Sequence, residues 1–240
     1  MSPQPDRADF RISALIPAYN AAPYLAEAIQ SVLDQTYLPA EIVVLDDGST
    51  DDTYRIARRF GRQIRLLGPQ RRGFVASRNH LIDQASYEWI AFHDADDLWL
   101  PNKLALQVDY LREHPEAHGC LGHAEQVLQP GCSLPSGFRQ TLMGEPTAQF
   151  FIPNLLASRD VYRRVGPFGM DDPTGSDSDW FVRAKDAGIV VGVVAEVLYR
   201  RRWHDSNLSY QFGFNRNMLD ILRRSVVRTD CWGGFKKEPD

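Results

Sequence analysis

The chain is short of the features that would make it a membrane-spanning, disulfide-built or nucleic-acid-binding protein. No apolar run approaches the ~20 residues needed to cross a bilayer. The opening MSPQPDRADF also lacks the apolar centre of a secretory leader. Cysteine is scarce: Cys120, Cys132 and Cys231 are odd in number and widely spaced. That excludes a disulfide framework or a Cys metal site and fits reduced thiols in a cytoplasmic protein. A basic excess is missing too. The net charge is -4, and no Lys/Arg run is interleaved with aromatics before the C-terminal tail, so no nucleic-acid partner is expected. The first turn reads PAYNAAP rather than G-x-G-x-x-G, which argues against a Rossmann dehydrogenase. No internal repeat and no Ser/His/Asp or Cys/His arrangement stands out.

What is present is an alternation of short apolar runs with helical periodicity. Ile12 to Ile16 reads as a buried strand closed by Pro17, and Pro23 suits the first turn of a helix. From Tyr24 to Gln35, the residues Leu25, Ala28, Ile29, Val32 and Leu33 recur at helical spacing. Glu41 to Leu45 is a second strand ending in Asp46-Asp47-Gly48-Ser49. Thr50, Asp51 and Asp52 then cap a helix that stops near Gly61. Ile64 to Leu67 is a third strand, and Phe74 to Gln84 another helix. This order predicts an α/β domain with a mainly parallel sheet covered on both faces.

The stretch WIAFHDADDLWL organises the rest. Trp89 to His93 reads as a strand buried on both faces, and the chain then breaks into Asp94, Ala95, Asp96 and Asp97. Three acids at the carboxyl end of a buried strand repel one another unless something positive sits among them. Strand ends of this kind are where open α/β sheets bind ligands. A divalent cation held by oxygen ligands, with a phosphate completing its shell, resolves the crowding. Further on, His118 to Leu128 is β-prone and 129–140 is loop-like. Asp179 to Ala187 is an amphipathic helix stopped by Gly188, and Ile189 to Tyr199 is β-prone.

Three segments together resemble the family 2 inverting glycosyltransferases of the GT-A fold. They are ALIPAYNAAPYLAEAIQSVLDQTYLPAEIVVLDDGSTDDT, FHDADDLWLP and GSDSDWFVRAKDAG. The resemblance implies a Rossmann-like, mainly parallel mixed sheet flanked by helices. Residues 1–9 would be a flexible N-terminus and 10–205 the transferase domain, with a nucleotide half over 10–115 and an acceptor half over 116–205. Residues 206–240 would form a helical tail. By the same resemblance Pro17, Ala18 and Tyr19 line the nucleotide pocket, with Tyr19 against the base. Asp47 accepts a hydrogen bond from a uracil-type ring, with Asp46 beside it. Arg72 or Arg78 approaches the nucleotide or its diphosphate. Asp94 and Ala95 face ribose and sugar, while Asp96 ligates Mg²⁺ or Mn²⁺ with His204 as a further metal or phosphate contact. The general base is Asp177 or Asp179; relatives usually carry Glu before that Asp, and here Ser176 precedes Asp177.

The expected activity is metal-dependent, inverting transfer from a nucleotide sugar, uridine-linked, to a hydroxyl acceptor of a glycan, lipid or small molecule. A cation stabilises the departing diphosphate while a carboxylate on the far face takes the acceptor's proton. The competing reading is a module that binds a nucleotide sugar without turning it over, which Ser176 favours. The basic and aromatic tail has two readings. It is either an amphipathic helix touching the inner face of a membrane, or a helix packed on the domain or on the second subunit of a homodimer.

Overall fold

The computed structural model describes residues 10–134, 143, 145–169 and 175–208. It opens with strand β1 (Ile12–Ala18), helix α1 (Leu25–Leu33), strand β2 (Glu41–Asp46), helix α2 (Thr53–Arg58) and strand β3 (Arg65–Leu67). Helix α3 (Phe74–Gln84), strand β4 (Trp89–Phe92), the short strand β5 (Leu98–Trp99) and helix α4 (Lys103–Glu113) follow. The second half contains β6 (Gly119–Leu128), β7 (Thr147–Ala148), β8 (Leu156–Ser158), α5 (Arg159–Val165), α6 (Ser176–Asp186) and β9 (Val191–Trp203).

All nine strands join one sheet in the order β3-β2-β1-β4-β8-β6-β9-β5, with β7 on β6. The four strands β3, β2, β1 and β4 run parallel, as the alternating sequence predicts. Beyond β4 the sheet becomes mixed. β8 lies antiparallel between β4 and β6, and β9 runs parallel to β6. Strand alternation sends Ile12, Ala14 and Ile16 into a core with Leu25 and Ile29 of α1 and Leu104 and Val108 of α4. Leu15 points the other way, into a core with Leu81 of α3, Val161 of α5 and Trp180 of α6. Both faces of the strands are thereby dry, which is why they read as near-continuous apolar runs.

Three boundaries differ from the apolar pattern, and the first two matter for the site. Helix α6 begins at Ser176, three residues before the expected start, so Asp177 lies in its first turn. Strand β9 runs on to Trp203, because Arg200 to Trp203 stay in register with Glu125 to Leu128 of β6. β1 likewise continues through Pro17, since the ladder is carried there by acceptors: the Ala18 carbonyl takes the Asp47 N–H at 2.8 Å. Among the described residues no helix is long and apolar enough to cross a membrane. The tail from 209 onwards, and the membrane and homodimer readings attached to it, lie outside the described residues.

The parallel strands end on one edge, where Ala18 lies opposite Asp46 and Phe92 lies opposite Leu15. Gly68 closes this edge after β3. Its φ is +105°, and a Cβ there would lie 2.3 Å from the Asp46 carbonyl oxygen. Backbone cannot yield as a side-chain tip can. Gly68→Ala is therefore expected to cost about 2 kcal/mol and to lower the melting temperature by roughly 4–8 °C, read by calorimetry.

Candidate active site

At the end of β2, Asp46 is fully buried and receives the Ser49 N–H on Oδ2 at 3.3 Å, while its Oδ1 has no hydrogen-bond partner. Asp47 is buried as well. Its carboxylate accepts the backbone N–H groups of Arg72 and Gly73 and pairs with the guanidinium of Arg71. That guanidinium lies over the ring of Tyr19, its carbon 3.8 Å from the ring centre, and Tyr19 is 44% exposed. Pro17 and Ala18 end β1 opposite Leu45 and Asp46 and lead to Tyr19. The side chain of Arg72 folds back on Gln70 and takes no part in this cluster. Asp51, expected as a helix cap, bonds the first N–H of α2 and also ties that helix start to the loop after β1. It accepts the Thr53 N–H at 3.0 Å and the Ala22 N–H at 3.1 Å.

At the end of β4 each of the three acids has a different solution. Asp94 accepts from Arg78 Nη2 at 3.1 Å. Burial pushes its carboxyl up to about 6, the Arg78 charge pulls it down, and the charges of Asp96 and Asp177 add to the rise. Asp96 faces His204 Nε2 at 3.2 Å and receives Asn207 Nδ2 at 3.0 Å. Burial alone would raise its carboxyl, but the hydrogen bond and charge of His204 hold it below the usual range. Asp97 turns inward, where its oxygens accept the Tyr199 hydroxyl at 2.9 Å and the Arg202 N–H at 2.7 Å. Burial, with the charges of Asp96 and Asp94 behind it, raises the Asp97 carboxyl well above the ordinary value. Ala95 is buried between them, and its small side chain belongs to the core.

The third segment enters through α6. Asp177 Oδ1 meets Arg78 Nη1 at 2.5 Å, and its Oδ2 accepts the Ile152 N–H at 3.0 Å. The guanidinium of Arg78, 2% exposed, thus spans Asp94 and Asp177 from beneath. Asp179 looks elsewhere. It pairs with Arg183 at 2.7 Å, and Arg183 also donates to the carbonyls of Val165 and Pro167. Arg78, Asp94, Asp96, Asp177 and His204 therefore form one connected constellation, while Asp179 and the Arg72 side chain stand outside it.

Comparison with known proteins shows the family and the fold. The sequence matches the family described as Glycosyl transferase family 2 over residues 13–129. It is 37% identical over 203 residues to EpsE of Bacillus subtilis, a protein named as a glycosyltransferase, covering 80% of this chain and 73% of that one. The chain belongs to glycosyl transferase family 2. A Rickettsia felis protein, named an uncharacterized glycosyltransferase, is 38% identical over 231 residues, which are 90% of this chain. The family 2 chain spans only 38% of that relative's length. Among solved structures, Staphylococcus aureus TarS 1-349 in complex with UDP-GlcNAc superposes with a TM-score of 0.71 at 19% identity, over 91% of this chain and 66% of that one. The fold is the GT-A fold expected from the resemblance.

The acids of this family 2 chain also fit a divalent cation. Asp94, Asp96 and Asp97 each offer a carboxylate oxygen, all within 4.8 Å of one another. The Asp97 oxygens are engaged by Tyr199 and Arg202, which leaves Asp94 and Asp96, 30% and 29% exposed, beside the His204 imidazole. Hard oxygens with one imidazole suit Mg²⁺ or Mn²⁺.

Three site residues escaped the sequence reading. Arg71 stands next to the Arg72 that was singled out. Asn207 follows His204 by three residues, and its amide bonds both Asp96 and His204. Arg201, whose guanidinium lies 4.5 Å from the Trp203 ring centre, acts electrostatically on Asp94, Asp96 and Asp97. The basic run at 200–202 was the only available signal.

The raised Asp94 carboxyl has a signed consequence. The folded chain holds that proton up to about pH 6, whereas the unfolded chain releases it near ~4. Stability therefore falls as pH rises through this window. Asp94→Asn removes the effect: in chelator, urea titrations from about pH 4 to 6 should show the variant gaining steadily on the unaltered chain.

Proposed function

We propose that this chain catalyses inverting transfer of a sugar from a uridine diphosphate sugar to a hydroxyl acceptor, assisted by Mg²⁺ or Mn²⁺. The observation that carries the reading is the Arg78 bridge, which fixes Asp177 beside the acids at the end of β4. A carboxylate so held can accept an acceptor's hydroxyl proton on one side of a sugar whose diphosphate lies on the other. No covalent nucleophile is needed, and inversion follows from opposed faces. Asp177 is the base rather than Asp179, because Arg78 holds it with Asp94 whereas Asp179 turns to Arg183 and the α5–α6 connection. Asp96, Asp94 and His204 would hold the cation. When bound, it would supply Lewis-acid stabilisation of charge on the departing diphosphate. TarS 1-349, of the same fold, is solved in complex with UDP-GlcNAc, which supports a uridine donor here. Tyr19 and Asp47 offer that donor an aromatic face and an acceptor for a ring N–H, once Arg71 has moved off both.

Release of UDP from UDP-sugars with Mn²⁺ present tests the assignment. Asp177→Asn should lower turnover at least a hundredfold with UDP binding retained, while Asp179→Asn keeps most of it. The reverse result moves the base by two residues. UDP binding without turnover of any donor in the unaltered chain would favour the non-catalytic module, the reading in which Ser176 replaces the usual Glu.

Arg71 gives an independent check on the pocket. Because its pairing with Asp47 must break before a base can occupy Tyr19, Arg71→Ala should tighten UDP binding by roughly two- to fivefold in calorimetry. Weaker binding would show that Arg71 holds the nucleotide instead.

A further inference from the structure

An aromatic pair beside Asp177 has no role in holding the donor. Phe150 is 54% exposed, and its ring meets Phe181 edge-on with centres 5.5 Å apart. Both rings are tied to the base by short covalent paths. Phe181 follows Asp177 by one helical turn on α6, so the two side chains share a face. Phe150 stands two residues before Ile152, whose N–H holds the Asp177 carboxylate at 3.0 Å. The residue before Phe150 belongs to a chain of bonded amides. Trp203 Nε1 donates to Gln126 Oε1 at 2.7 Å, and Gln126 Nε2 donates to Gln149 Oε1 at 2.9 Å, one residue from Phe150.

We propose that Phe150, backed by Phe181, is the platform on which a pyranose ring of the acceptor stacks, with its hydroxyl edge toward the Gln149 and Gln126 amides and one hydroxyl at Asp177. This rests on the reading of Asp177 as the base. That reading also identifies the occupant, since whatever covers the platform must bring a hydroxyl to that carboxylate. The C–H face of a pyranose matches an aromatic ring, and its hydroxyls match amides. A prenyl or acyl chain would want a continuous apolar lining, and here the exposed ring follows Gln149, whose amide is bonded to that of Gln126.

Saturation-transfer NMR on the full chain loaded with UDP and Mn²⁺ tests the platform directly. The probes are methyl β-D-glucopyranoside and methyl N-acetyl-β-D-glucosaminide, with octanol as the apolar comparator. At least one glycoside should receive saturation in the unaltered chain. Phe150→Ala should weaken its binding about three- to tenfold, and Phe150→Trp should restore it. UDP affinity, measured by calorimetry, should be the same in all three proteins. The proposal is overturned if neither glycoside binds, if Phe150→Ala binds them as well as the unaltered chain, or if octanol alone is lost on that substitution. Failure of UDP to bind the unaltered chain would defeat the donor reading, whereas the glycoside result still decides the platform.

Discussion

A buried guanidinium is costly unless its charge is matched, and Arg78 is matched twice. Asp94 at the end of β4 and Asp177 in the first turn of α6 pair with its two terminal nitrogens, and the ring of Phe74 lies 4.2 Å from its carbon. Neither carboxylate could sit so near the other without it. Arg78 therefore holds Asp94 and Asp177 at one distance, although it is itself almost out of reach of solvent. α3, which carries Arg78, packs against the first strands, so Asp177 inherits its position from the most regular part of the sheet. The Ile152 N–H fixes the remaining Asp177 oxygen and leaves the side chain little freedom.

The three acids after β4 show how one crowded turn can serve different ends. Asp97 is structural. Its bonds to Tyr199 and Arg202 draw β9 across the turn, and β9 in turn delivers His204 and Asn207 to Asp96. Arg202 reinforces this by reaching the Asp96 carbonyl and pairing with Glu27 on α1. The crowding that suggested a cation is thus partly relieved by the protein's own donors. What remains for a cation is the pair Asp94 and Asp96 with His204, a set that can take one up without leaving a buried charge orphaned when it departs.

The first half of this architecture was legible because local pattern and tertiary context agree there. Apolar runs of four to seven residues became parallel strands, and α3 lies where its periodicity put it. Legibility fell where long-range pairing decides. β9 is extended past Tyr199 by its register with β6, which no local propensity announces. The choice between Asp177 and Asp179 shows the same limit. Two residues apart on a helix they point about 200° from each other, so they cannot serve one site. The apolar marks at Trp180 and Ala184 suggested a helix start at Asp179, and only the observed start at Ser176 shows which of the two faces Arg78. Arg71 and Asn207 were hidden because a loop arginine and an asparagine look alike whether they line a pocket or face water.

The central claim is that Arg78 and Asp177 act as one unit, and a double-mutant cycle on UDP-sugar turnover measures this directly. Arg78→Lys keeps the charge but cannot span both carboxylates. The account predicts that Arg78→Lys and Asp177→Asn each depress turnover, and that the double variant is scarcely worse than Asp177→Asn alone. Losses that simply multiply in the double variant would show that the bridge does not set the base, and would contradict the account.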